Sequence, residues 1–375
     1  MSLISYFLMV FLLLTIIIIY FLANCNLIFK DHAIGRFLKS PVLKHILKRL
    51  LLSVVSFLFI MIALFFLIRL IYFNNYSIFY SFNEFNNPIF NSNNIWKDLI
   101  NYFYNLLPFP KKVCISTNLN ENGVFCSLYK YKIINLGYSS AYMKNISVWQ
   151  IIKEKVPVSF LIGLIAYILE CLIGYPLGIY LARRRNKILD KSLNFIHAIS
   201  ISFPKIIQLY LFLILFMVVF NLPVTFEINN IFTYIAPLSS IVFLGSLSVA
   251  YWTKKYLILE LDKDYVKLAI SKGLDKKYIF YKHVFKNALQ PLLRTIPTSL
   301  FACLCGYYLL ELTFNIPGIG LTLITAINLN DIYLVLGLIL FFSFFSVLSY
   351  FLGDMIAIIL DKRIINRKRG DKHEK

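Results

Sequence analysis

Charge is what this sequence has least of. Charged residues make up 15% of its 375 positions, whereas a soluble domain carries about a quarter. An ordinary water-facing surface over the whole chain is excluded. Catalytic signatures are missing as well. No Gly-x-x-x-x-Gly-Lys-Ser/Thr loop is present to cradle nucleotide phosphates. His-Glu-x-x-His, Cys-x-x-Cys and Gly-x-Ser-x-Gly are also absent. The histidines, His32, His45, His197, His283 and His373, are scattered, which argues against clustered metal ligation. No metal or cofactor is expected. A membrane-embedded transferase would need a catalytic acid or metal cluster, and none is found.

The chain is instead rich in apolar residues, at 59%, with a mean hydropathy of +0.73. They fall in runs near the ~20 residues that cross a bilayer as a helix. Seven candidate spans emerge, at 3–23, 51–73, 158–182, 195–220, 232–252, 295–312 and 333–360. The fold class expected is all-α, a polytopic transmembrane helical bundle with an extracytoplasmic insertion.

Net charge is +20, and its placement sets the topology. Lys44, Lys48 and Arg49 precede the second run; Arg183, Arg184 and Arg185 follow the third. A long basic stretch from Lys254 to Arg294 follows the fifth, and Lys362, Arg363 and Arg367 follow the last. The connections 221–231 and 313–330 contain no Lys or Arg. Alternating basic and bland connections place the basic ones and the C-terminus in the cytoplasm. Because the charge tracks span ends on one side, it does not read as a nucleic-acid patch. An anionic lipid surface accounts for it.

The expected organisation is an extra span and linker at 1–40, a span at 41–73, an extracytoplasmic region at 74–157, a five-span core at 158–363 and a basic tail at 364–375. The first run lacks a basic n-region and reads as a retained span rather than a signal. Cys114 and Cys126 lie in the outer region, either bridged or as two free thiols. Cys171, Cys303 and Cys305 sit in apolar runs and read as packing residues.

Within the loop 253–294, Val266, Leu268, Ala269 and Ile270 give a short helix an apolar side, and Gly273 can end it in the left-handed conformation. Tyr278, Ile279, Phe280, Val284, Phe285, Ala288 and Leu289 then recur at helical spacing. The pattern describes two short amphipathic helices joined at a glycine beneath the bilayer. Spacing alone leaves two readings open, a lipid-binding surface or a protein-docking loop.

The order of residues resembles the coupling motif of ABC-importer permeases, in particular the first permease of the oligopeptide/dipeptide/nickel family. That motif runs D-Y-x-x-x-A-x-x-K-G-L, then H-x-x-x-N-A-x-x-P. Asp264, Tyr265, Ala269, Lys272, Gly273 and Leu274 match the first part; His283, Asn287, Ala288 and Pro291 match the second. The stretch from Asn135 to Ser139 resembles the family's G-D-L-G-x-S, with Asn135 replacing the acid. Gly174-Tyr-Pro-Leu-Gly178, Ser202-Phe-Pro204 and Glu311 to Gly320 match further features. The resemblance covers about 44–363; Lys362 replaces the usual proline, and the region around Cys114 and Cys126 diverges.

The resemblance implies a MetI-like type I importer permease of a bacterial cytoplasmic membrane. Its partners would be a second homologous permease, two ABC ATPase subunits and an extracytoplasmic substrate-binding protein, with membrane lipid around the spans and no nucleic acid. It implies that Asp264, Tyr265, Lys267, Ala269, Lys272, Gly273 and Leu274 couple to the ATPases, with Ala269 and Gly273 as the docking core. Glu170, mid-span, and Pro204, at a bend, become candidates for the translocation path. A permease for nickel or an oligosaccharide, or a stand-alone channel, is the alternative.

Overall fold

The computed structural model describes residues 41–73, 95–106, 110–120, 123–132, 135–223, 225–305 and 307–360. The expected span at 3–23 and the tail at 364–375 lie outside them. The elements, in chain order, are α1 (Pro41–Phe73), α2 (Ile95–Leu106), β1 (Lys111–Asn120), β2 (Gly123–Lys132), α3 (Val148–Arg183), α4 (Ile188–Ser202), α5 (Lys205–Phe220), α6 (Phe232–Leu261) and α7 (Asp264–Ser271). A run of α8 (Lys276–Tyr278), a π-helix (Ile279–Phe285) and α9 (Lys286–Cys305) follows, then α10 (Tyr308–Thr313), α11 (Ile319–Asn328) and α12 (Ile332–Leu360).

Among the described residues, five helices are long and apolar enough to cross a bilayer: Ile46–Leu67, Val148–Arg183, Phe232–Leu261, Lys276–Thr313 and Ile332–Ile358. Each overlaps a run expected from sequence. The run at 195–220 differs. It is broken into α4 and α5, which meet at 109°. Pro204 has no backbone N–H and cannot continue α4. The exposed carbonyls at the break are satisfied by Gln208, whose Nε2 donates to Ser200 O (2.5 Å) and Phe203 O (2.8 Å). That side-chain repair is what a break at membrane depth requires.

The chain divides into two compact units. The first comprises Met1–Ile152 and Thr325–Leu348. In it Phe57 of α1 packs edge-on to Phe344 of α12 at 5.8 Å between centroids. Phe65 packs against Tyr102 of α2, and Arg69 pairs with Asp98. The unit also holds the antiparallel hairpin β1–β2. The hairpin sets Cys114 across from Tyr129 and Cys126 across from Thr117. The two cysteines are therefore three positions apart along the ladder, about 10 Å at ~3.3 Å per residue. The two cysteine side chains lie outside the described residues, so both alternatives expected from sequence stand.

The second unit comprises Lys153–Ile324 and Ser349–Lys375. Glycines set a close crossing of α3 on α6. A Cβ at Gly174 would lie 2.6 Å from Val249 Cβ, and one at Gly178 would lie 2.7 Å from Ala250 O. Two small residues four apart let helices approach closely in a membrane, so the Gly174 to Gly178 motif is internal packing. Elsewhere on α6, Lys254 pairs with Asp190 of α4 (2.5 Å) and donates to Asn194, while His197 stacks on Tyr251 at 4.0 Å. Asp190, His197 and Lys254 are buried, and α4 turns Phe195, Ile196 and Ile199 outward. Helix α3 starts at Val148 rather than at 158, with Pro157 inside it.

Candidate functional site

The loop around Gly273 is a capped helix end. Helix α7 runs to Ser271, and Gly273 takes φ +77. The N–H of Gly273 donates to Ile270 O (2.9 Å) and that of Leu274 to Ala269 O (3.3 Å). These are the two hydrogen bonds of a Schellman motif, with glycine at its left-handed position. A Cβ at 273 would meet nothing within 4 Å. The glycine is required by backbone conformation, not by space inside the chain. Two residues on, Asp275 caps the next helix, its Oδ2 accepting from Lys277 N (3.2 Å) and Tyr278 N (3.4 Å).

The expected pair of short helices is corrected on the second member. From Lys276 the chain runs through the π-helix into α9 and on toward Thr313, so the loop's far side is the root of a membrane span. Its near side is equally rooted. Val266 and Ala269 share one buried cluster with Ala182 of α3, Leu257 of α6, Ile279, Phe280, Val284 and Ala288. Tyr265 Oη donates to Glu260 Oε1 (2.7 Å) and accepts from Asn287 Nδ2 (3.1 Å). Arg183 closes the corner, over the Phe280 ring at 4.6 Å and donating to Tyr281 Oη (2.6 Å). The sequence pointed to Tyr265 and Asn287 through the motif; nothing in it singled out Glu260, and it marked Arg183 only as a charge at a span end.

The residues expected to couple to a partner separate into two groups. Tyr265 and Ala269 are internal. Ala269 is 8% exposed, so its small side chain serves this chain's own core and is not free to meet a partner as a docking-core residue. Asp264, Lys267, Lys272, Gly273 and Leu274 are exposed, alongside Leu268, Ile270 and Tyr278. Lys267 donates to Asp264 Oδ1 at 2.9 Å, which holds that carboxyl below its ordinary range and raises the ammonium. So exposed a pair adds little stability. Lys272 has no ion-pair partner among the described residues. The surface offered is apolar with a basic margin.

Of the two residues expected at the path, Pro204 sets the α4–α5 break and Glu170 lies within α3. Glu170 is 7% exposed and lies over Gly245 of α6, where a Cβ would come within 2.1 Å of its carboxyl carbon. Glycine at 245 makes the notch the carboxyl fills. Among the described residues Glu170 has no hydrogen-bond or ion-pair partner. No group of three His, Cys, Asp or Glu with metal-binding geometry occurs among the described residues.

The Glu311 to Gly320 segment is held from inside by its acid. Ser159 Oγ donates to Glu311 Oε1 (2.6 Å), Leu321 N donates to Oε2 (2.9 Å), and Ile319 N donates to Ser159 Oγ (2.8 Å). A Cβ at Gly318 would lie 2.4 Å from the Glu311 carboxyl carbon. The acid thus joins α3, α10 and the start of α11. Glu311→Ala would strand these buried donors, at about 1–3 kcal/mol each. A markedly lower melting temperature of the detergent-purified chain is expected, and unchanged melting would contradict this role.

In the first unit the Asn135 to Ser139 stretch folds by the same logic. Asn135 Oδ1 accepts from Gly137 N (3.2 Å), a local turn that either Asn or Asp can make. Gly137 sits at φ +84 beneath Tyr333. Asp331 Oδ2 accepts from Ser139 Oγ (2.5 Å) and from the N–H groups of Ser140, Ala141 and Tyr142, each 3.1 Å. Replacement of the family's acid by Asn135 therefore preserves the turn.

These features define a polytopic helical membrane protein whose basic loop is a rigid, capped projection built onto the roots of its spans. The chain belongs to the family of binding-protein-dependent transport system inner membrane components, whose pattern matches residues 174–366. It is 32% identical over 217 residues to the oligopeptide transport system permease protein AmiC of Streptococcus pneumoniae, which covers 57% of this chain and 43% of AmiC. It is 28% identical over 249 residues to the dipeptide transport system permease protein DppB of Bacillus subtilis, 64% of this chain and 79% of that one. The nickel import system permease protein NikB of Staphylococcus aureus is 28% identical over 231 residues, 61% of this chain and 68% of NikB. The match thus spans less than half the length of AmiC. These relatives are transport permeases, not enzymes.

Proposed function

We propose that the chain is the first permease subunit of an ATP-driven importer of oligopeptides. It forms half of a translocation path with a second, homologous permease. Two cytoplasmic ATPase subunits dock on the exposed side of α7 and the Gly273 turn, and an extracytoplasmic binding protein delivers the substrate. The observation that carries this reading is the way the loop is built: a capped projection fused by one buried cluster to the ends of α3, α6 and α9. A force on that turn is transmitted to three spans at once, and alternating access by rigid-body motion needs such a transmission. ATP hydrolysis belongs to the partners. Glu170 and Pro204 stand at the wall of the path, the first filling the notch over Gly245 and the second setting the break.

Likeness to AmiC and DppB favours peptides; likeness to NikB supports nickel as the second reading. Cells carrying the complete importer should accumulate labelled short peptides and not radioactive nickel. Nickel uptake without peptide uptake would reverse the assignment.

A further inference from the structure

Helix α2 (Ile95–Leu106) is built inside out for a helix in water. Asp98, Tyr102 and Asn105 are buried. Asp98 accepts from Arg69 of α1, Asn105 O accepts from Asn135 N (3.1 Å), and the Tyr102 ring lies 5.5 Å from that of Phe65. The apolar residues face outward instead: Trp96 is 68% exposed, Ile100 66%, Tyr104 53% and Ile95 43%. At ~100° per residue these four fall within one half of the helix circumference. The environment such a face fits is not water.

Depth identifies it. The apolar span of α1 is Ile46–Leu67, and α2 is held by Phe65 inside the end of that span and Arg69 just past it. The same end of α1 exposes Phe59, Ile62, Phe66 and Leu67. The outward face of α2 therefore lies beside the exposed apolar end of a bilayer-length span, the level at which acyl chains meet headgroups. Trp and Tyr are enriched at that level, and amphipathic helices lie there with their apolar side inward to the acyl chains.

We propose that α2 is an interfacial helix, with Trp96, Ile100 and Tyr104 seated in the lipid headgroup–acyl boundary at the end of α1 away from Lys48 and Arg49. The Arg69–Asp98 pair pins it to the span and satisfies both charges where water thins out. The helix keeps the chain leading into β1 at the bilayer surface.

The test compares the full chain with its Trp96→Phe variant, both reconstituted in phosphatidylcholine–phosphatidylglycerol vesicles. The difference between their emission spectra isolates Trp96 from Trp149 and Trp252. The expected signal is blue-shifted, loses intensity with lipids brominated near the carbonyl end of the acyl chain, and resists aqueous iodide. A red, iodide-quenched signal would overturn the proposal by placing the face in water. A blue-shifted signal that neither quencher reaches would overturn it in favour of a protein cover. Should Trp96→Phe fail to fold, Tyr104→Trp, read as its spectrum minus that of the unaltered chain, gives the same three outcomes.

Discussion

Replacing Gly273 with valine is expected to abolish substrate-stimulated ATP hydrolysis in the assembled importer while the chain still reaches the membrane. The left-handed conformation costs an ordinary L-residue about 1–2 kcal/mol, and a β-branched one more. That is a factor of at least ~5–30 in occupancy of the capped turn. No steric effect inside the chain contributes, since the space around a Cβ at 273 is empty. Gly273→Asn separates conformation from surface. This chain already holds asparagine at positive φ at Asn145, Asn186, Asn221, Asn315 and Asn330, so Gly273→Asn should retain most coupling. Gly273→Asp keeps a similar backbone preference but adds a charge to the proposed docking face, and coupling should be lost. Full coupling in the valine variant would contradict the role of the turn.

The buried pair between α4 and α6 should show the largest effect on stability. Asp190→Ala leaves Lys254 charged and unpaired in a site where both side chains are 6% exposed. Breaking a buried ion pair from one side costs about 3–5 kcal/mol. The double variant Asp190→Leu with Lys254→Met removes both charges and should recover most of that loss. Thermal unfolding of the purified chain measures both. Equal melting of the single and double variants would show that the pair is not the source of the effect.

Much of this arrangement was legible before folding. Bilayer-length apolar runs marked each described span, because hydrocarbon thickness fixes helix length regardless of neighbours. Pro204 announced the break in the fourth, and Gly273 announced the end of α7. What the sequence left open depends on which side of a residue faces its own chain. Ala269 reads as a docking residue by size, yet its helix face turns toward Val284 and Ala288. Glu170 reads as a path residue by charge, yet its carboxyl fits a notch whose existence depends on Gly245, 75 positions on (245 − 170). The hairpin β1–β2 carried no clear alternation of apolar and polar residues, and its register alone shows how Cys114 and Cys126 are spaced.

The coupling claim is tested most directly by ATP-dependent peptide accumulation in vesicles holding this chain, a second permease, two ATPase subunits and the binding protein. Accumulation that requires this chain, and that disappears with Gly273→Val while the ATPases remain bound to the membrane complex, is the expected result. Accumulation that continues with the valine variant, or with this chain alone and no ATPase, would contradict it.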